Sequence, residues 1–423
     1  MKQKLQIATF LIIFIAYLFL LYRGVSFIQY NNNAILLFIV SILIPIYLLL
    51  PQADIQQRSC IPFRSNTVPY IMLGLIAFLL LMPGVAVSLH SNPLPTKNSD
   101  VILQMQVQFE RFIKGEQPYA PVTEFIWNPF PVYMPLQWLP IGFGKYFNVD
   151  IRWGGLFILF ICYAYFMLDF KLKNFSRLEI ILISLTPLAF IWLSNEYRNE
   201  EINSVFDVCV YAYYFLLGYG LLTMNHKVIF IGLVGAMMSR YTAIFWLPIF
   251  LFVIYQKYGK QKLYQYLIFG STALLVIFIL PFLVRDPDIL TKGLAYHNAC
   301  GILEWERLTQ KNEIPFTVTM GASYIQFWAK VITGLTPTES VTILRLIQLL
   351  FMAIINLAAY LYYKKHTNYV LANPTNFLLS FMAIEMLFFY GTSALVVQHY
   401  WFTVTPILWA CMVAAMSRQT VMH

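Results

Sequence analysis

Charged residues are scarce in this sequence: they make up 11% of 423 residues, where soluble domains carry roughly a quarter. Acids are scarcer than bases, 19 against 28, which leaves a formal net charge of +9. Cysteine is rare as well. Of five, Cys162, Cys209 and Cys411 fall in apolar stretches, Cys60 in an inner loop and only Cys300 in an outer one, so no intramolecular disulfide is expected. There is no repeat at a fixed period, no low-complexity tract and no linker between soluble domains, which excludes solenoid and multidomain architectures.

Long apolar runs are abundant instead. Hydrophobic residues reach 60% and the mean hydropathy is +0.67. Runs of spanning length, roughly 17 to 25 residues, occur at about 6–22, 34–50, 68–89, 152–168, 178–194, 203–224, 264–284, 341–363, 375–392 and 394–416. Lipid leaves no solvent for unpaired backbone, so each must be a helix. The fold class that follows is all-α: a polytopic membrane protein of about ten spans, one integral domain over residues 1–423. The first run begins MKQKLQIATF and has no small-residue cleavage site, so it is read as a retained helix.

The basic residues sort by loop. With the N-terminus inside, inner segments hold Lys2, Lys4, Arg58, Arg64, Lys171, Lys173, Arg177, Lys227, Lys257, Lys260, Lys262, Lys364, Lys365 and Arg418, beside only Asp54 and Asp169. The density of bases in these short loops sets the orientation. Both termini are then cytoplasmic, in a plasma (inner) membrane, and the long loops at about 90–151 and 285–340 face outward. Orientation accounts for the positive charge, and no nucleic-acid partner is implied.

One outer stretch, SDVILQMQVQFERFIKGEQPY at 99–119, is amphipathic. Val101, Ile102, Met105, Phe109, Phe112 and Ile113 follow a 3.6-residue period, with Gln104, Gln108 and Arg111 off that face, which predicts a helix lying along the membrane surface. Residues 228–255, VIFIGLVGAMMSRYTAIFWLPIFLFVIY, lie between inner basic clusters and break at Ser239–Arg240. A pair of half-helices that enters and returns on one side fits both facts, while a single tilted helix would invert every later loop. Irregular backbone at membrane depth needs a surrounding cavity, and Arg240 at the break is an intramembrane cation, expensive unless paired.

The order of these motifs resembles a family. An Asp at the start of a surface helix, then GEQPY at 115–119, WNPFPVYMPLQWLP at 127–140, a broken hairpin with SRYTAIFWLP, and a late QHYWFTVTP at 398–406 are similar to the multispanning glycosyltransferases of the C-type superfamily, above all the polyprenyl-phosphate-mannose-using family 87. The likeness spans about 95 to 410. It implies transfer of mannose or another hexose from a polyprenyl-phosphate donor to a lipid or glycan hydroxyl on the outer face. No metal and no further cofactor are expected from the residues themselves, since metal ligation needs converging oxygens.

Such a transfer needs a base for the acceptor and cations for the leaving phosphate. The resemblance makes Asp100 the base, although an acid at a helix start is often structural, favoured there by the macrodipole. Arg240, with its planar fork of donors, and His399 are the candidate phosphate binders; an arginine paired with a nearby acid and a histidine in the aromatic belt are the plainer accounts. Tyr119 and Tyr133 are candidate sugar contacts. Glu200 and Glu201 could bind a metal or sugar hydroxyls, but with Glu196, Arg198 and Asp207 they read more simply as a solvated charged turn. His297, Cys300 and EWER at 304–307 belong to the second outer loop and could line the acceptor side or simply pack.

Two other functions fit the same composition. An outer-face glycan polymerase or ligase would rely on outer Arg and His and dispense with Asp100. A lipid or glycolipid transporter or flippase would also use broken helices with an intramembrane charge, though usually paired in two related halves.

Overall fold

The computed structural model describes residues 31–50, 55–57, 68–91, 93–94, 101–124, 128–169, 177–198, 206–309, 331–393 and 399–420. The first apolar run, at about 6–22, lies outside them. The chain is helical: α1 (Asn31–Leu49), α2 (Val68–Ser91), α3 (Val101–Ile113), α4 (Pro135–Trp138), α5 (Ile141–Phe147), α6 (Trp153–Asp169), α7 (Arg177–Arg198), α8 (Val208–Thr223), α9 (His226–Met237), α10 (Ala243–Leu274), α11 (Ile289–Thr309), α12 (Pro337–Lys365), α13 (Thr367–Ala372), α14 (Pro374–Gly391) and α15 (His399–Met416). A π-helical turn series, Leu275–Leu283, continues α10. The strand content among the described residues is one three-residue antiparallel ladder, β1 (Ile55–Gln57) with β2 (Arg418–Thr420).

Three helical lengths among the described residues, Pro69–Ser91, Ala243–Leu283 and Pro337–Lys365, are long and apolar enough to cross a membrane, and several shorter apolar helices accompany them. Leu79, Leu80, Ile268, Leu346 and Leu357 point outward from these lengths. An outward apolar surface of this kind is compatible with a membrane protein. The 41-residue stretch Ala243–Leu283 is not one straight rod. Gly259 takes φ +79° inside it, and Phe250 packs edge-on to Tyr266 with ring centroids 5.4 Å apart. Sixteen residues of continuous helix would hold those rings roughly 24 Å apart, so the chain doubles back at Gly259.

The centre of the bundle is α8, buried on every side as a helix apolar all round requires. It pairs antiparallel with α9 through small residues. A Cβ at Gly232 would lie 2.5 Å from the Leu217 backbone nitrogen, one at Gly220 2.7 Å from that of Ile229, and one at Gly235 2.5 Å from the Tyr213 ring. Glycine is required for so close an approach. The Met224–Asn225 turn closes the hairpin, with Met224 left-handed at φ +48° and the Asn225 side chain accepting from the Lys227 amide. α9 rises from His226 and breaks after Met237; the first half of α10 then descends until Tyr258 packs edge-on to His226, 4.6 Å between centroids. His226 and Tyr258 therefore share one end of the bundle and Arg240 sits at the other.

The expected amphipathic helix is present as α3, with one correction to its faces. Gln104 and Gln108 are buried, 3% and 0% exposed, while Phe112 and Ile113 are 40% and 63% exposed. The helix turns its glutamine strip into the protein and part of its apolar face outward. A polar strip seeks hydrogen-bonding partners inside the protein, whereas outward aromatic and aliphatic groups suit a lipid boundary.

Candidate functional site at the helix break

The antiparallel register of α8 and α9 carries Asp207, at the start of α8, level with the break after α9. There the Arg240 guanidinium donates from Nη2 to both Asp207 carboxylate oxygens at 2.5 Å. Gln137 Nε2 donates to the same Oδ1 at 2.8 Å. Asp207 is fully buried and the Arg240 side chain is 14% exposed. This removes Asp207 from the solvated turn expected from the sequence: close packing of the small residues of α9 on α8 draws it inward to meet Arg240. Breaking a buried pair of this kind costs about 3–5 kcal/mol, because the surviving charge loses its counter-ion.

The segment PVYMPLQW, 131–138, lies across the break. The Leu136 amide donates to the Met238 carbonyl at 2.9 Å, Tyr213 Oη to the Leu136 carbonyl at 3.1 Å, and Tyr241 Oη to the Val132 carbonyl at 3.2 Å. On its other side stands α3, whose Gln108 Nε2 is 3.5 Å from the Tyr133 carbonyl. Arg111 holds the GEQPY turn by donating to the Ala120 and Pro121 carbonyls at 2.6 and 2.9 Å, with Gly115 left-handed at φ +75°. Lys145 donates to Glu110 at 2.6 Å, and this bond, more than any other cause, holds the Glu110 carboxyl below its ordinary range.

Tyr119 is 1% exposed. Its hydroxyl donates to the Tyr133 carbonyl at 3.0 Å and its ring packs edge-on to Phe282, 5.4 Å away; burial pushes its pKa well up. In this arrangement it braces the loop and offers no open face to a sugar. Tyr133 contributes its carbonyl to that bracing. Gln117, within the GEQPY turn, has both amide atoms buried without a hydrogen-bond partner among the described residues, a polar group the sequence reading passed over.

A second cation lies at the same end. Gln348 of α12 donates to the Phe389 carbonyl at 2.7 Å, and Tyr390 and Thr242 hydroxyls are 3.2 Å apart. Arg345, one turn before Gln348 in α12, therefore stands near the end of α14 and the break that carries Arg240. Its Nη2 is 3.1 Å from His297 Nδ1 of α11. Burial, then the Arg345 and Arg240 charges, push the His297 pKa down to about 4. Sequence reasoning placed His297 on a loop and did not single out Arg345, because the apolar run of α12 masked it.

The backbone of His399 opens α15. Tyr211 stacks on Phe402 at 4.6 Å, and a Cβ at Gly218 would touch Ala410 at 3.0 Å, so α15 runs parallel to α8 with His399 level with Val208. The positions of Arg240 and His399 thus share one end of the bundle. Asp100, Glu200 and Glu201 lie outside the described residues. In EWER, Trp305 is fully buried and Glu304 pairs with Arg307 at 3.6 Å, which makes this stretch of α11 a packed helix face. Among the described residues no three His, Cys, Asp or Glu side chains gather as a metal site.

No protein family model, no curated protein and no solved structure matches this chain.

Proposed function

We propose that the chain is a membrane glycosyltransferase that moves a hexose, mannose by preference, from a polyprenyl-phosphate donor to a lipid or glycan hydroxyl on the outer face of the plasma membrane. The reading takes the chain as multi-pass, with about ten spans, both termini cytoplasmic and the pair around 228–255 re-entrant. The observation that carries it is the gathering of cations, Arg240 and Arg345, at one end of the bundle, where the helix break, the PVYMPLQW loop and the inward glutamine strip of α3 meet. Cations aimed at a leaving phosphate, beside amides and carbonyls able to bind hydroxyls, are what this transfer needs.

In the reaction, the acceptor oxygen bonds to the anomeric carbon while that carbon's bond to the phosphate oxygen breaks. The electron pair leaves on the phosphate, and the acceptor proton passes to Asp100 as general base. Arg240 and His399 are the proposed donor-phosphate contacts, Glu200 and Glu201 proposed contacts to sugar hydroxyls. Tyr119 and Tyr133 act by shaping the loop that roofs the site. No metal is invoked.

Proteoliposomes holding the full chain, given polyprenyl-phosphate-[3H]mannose and a total lipid extract as acceptor, test the proposal. Loss of label from the donor is expected with the parent chain and not with Asp100→Asn. Donor that crosses the bilayer with its sugar intact replaces the reading by a flippase. Label that enters only pre-existing glycan chains, with Asp100→Asn fully active, replaces it by a polymerase or ligase.

A further inference from the structure

Arg240 and Arg345 are balanced in different ways. Arg240 meets the buried carboxylate of Asp207, and Arg152 likewise meets Asp150 at 2.6 Å. Arg345 meets His297. A guanidinium has no lone pair to offer, so Arg345 donates and His297 Nδ1 accepts, which leaves the imidazole proton on Nε2. The depressed pKa of His297 agrees with a neutral ring. A neutral partner satisfies a hydrogen bond and leaves the charge of Arg345 uncancelled.

Among the described residues no carboxylate comes within 4.0 Å of Arg345, and its Nε is buried with no hydrogen-bond partner. With no counter-ion among the described residues, an arginine in so apolar a helix is expensive, and packing alone does not explain it. Its surroundings are apolar on the outer side: Leu346 is 61% exposed and Leu294, one turn before His297, is 55% exposed. An anion seated on Arg345 has a hydrocarbon surface beside it.

We propose that Arg345 and His297 form a subsite for the phosphate of a membrane lipid phosphoester, with Arg345 supplying the charge and the donors and His297 orienting the guanidinium. His297 Nε2–H is a further donor to the same phosphate. The subsite deepens the glycosyl-transfer reading, on which it rests for the identity of the lipid as a prenyl phosphate, but its chemistry requires only a phosphate with an apolar tail.

The test uses the full chain in neutral detergent with three probes: farnesyl phosphate, farnesol and inorganic phosphate. Farnesyl phosphate is expected to bind more tightly than either of the others. Arg345→Gln is expected to weaken it about tenfold or more, the scale of a lost charge-assisted contact, while farnesol binding and the melting temperature hold. Equal affinity for farnesyl phosphate in parent and Arg345→Gln overturns the proposal, and so does inorganic phosphate that binds as tightly as farnesyl phosphate, which marks a free-anion site. A second measurement covers the case in which Arg345→Gln does not fold. Leu294→Cys, in a chain with Cys300 replaced, should be protected from a thiol reagent by farnesyl phosphate and not by farnesol; absence of protection removes the subsite. If phosphate binding passes while no sugar leaves any prenyl-phosphate donor, the transferase reading falls and the subsite stands. Transfer with Arg345-independent binding gives the reverse.

Discussion

Arg240 and Asp207 lie 33 residues apart in sequence and meet at 2.5 Å because the glycines of α9 let it pack against α8 at backbone contact. The pairing bears directly on what Arg240 can do. A guanidinium neutralised by a buried carboxylate offers less net charge to a phosphate than a lone one, yet its remaining exposure leaves it open to a ligand at the break.

A double-mutant cycle separates the two roles. Arg240→Met leaves the buried Asp207 carboxylate without its counter-ion, so it should lower stability by about 3–5 kcal/mol. Adding Asp207→Asn should restore most of that loss in the double variant, read by thermal unfolding in detergent. If farnesyl phosphate affinity also recovers fully in the double variant, Arg240 is structural; a persistent loss marks it as a phosphate contact. Additive effects on stability would contradict the pair itself.

Gly232 tests the register. Gly232→Ala places a Cβ 2.5 Å from the Leu217 backbone nitrogen, closer than van der Waals contact allows, so α9 must shift outward. The expected cost is about 1–3 kcal/mol, the range for overpacking, and the coupling between Arg240 and Asp207 should shrink with it. A variant as stable as the parent would show that the two helices are not in backbone contact there.

His297 gives a pH signature. Its folded pKa of about 4 lies below the ordinary 6.5, so between these values the unfolded chain binds a proton that the folded chain refuses. Stability contributed by the neutral ring is fully present above about pH 6.5 and is lost as pH falls toward 4. The melting temperature of the parent should therefore drop between pH 7 and 5, and His297→Gln should flatten part of that drop. Identical profiles would mean that His297 is protonated as readily folded as unfolded.

Asp100 carries the boldest expectation. Asp100→Asn keeps the size of the side chain and cannot accept a proton, so turnover should fall by roughly a hundredfold or more with donor binding and melting temperature nearly unchanged. Asp100→Glu should recover little, since a misplacement of about 1 Å can cost two orders of magnitude. A variant that turns over like the parent but melts lower assigns the carboxylate to the helix start.

Helix content, the amphipathic stretch at 101–113 and the break at Ser239–Arg240 were legible in the sequence because each rests on local properties: apolar run length, a 3.6-residue period and the polar interruption of an apolar run. The inward turn of Gln104 and Gln108 was not, since periodicity shows that a helix has two faces and says nothing of which one meets protein. The burial of Asp207, the bracing role of Tyr119 and the pairing of Arg345 with His297 likewise depend on partners 33 to 70 residues away and 14 and 48 residues away respectively. Charge alone marks a residue as costly in an apolar setting; whether it meets a carboxylate, as at Arg240, or, among the described residues, a neutral imidazole, as at Arg345, is decided only when the helices pack and fix the distance between the groups.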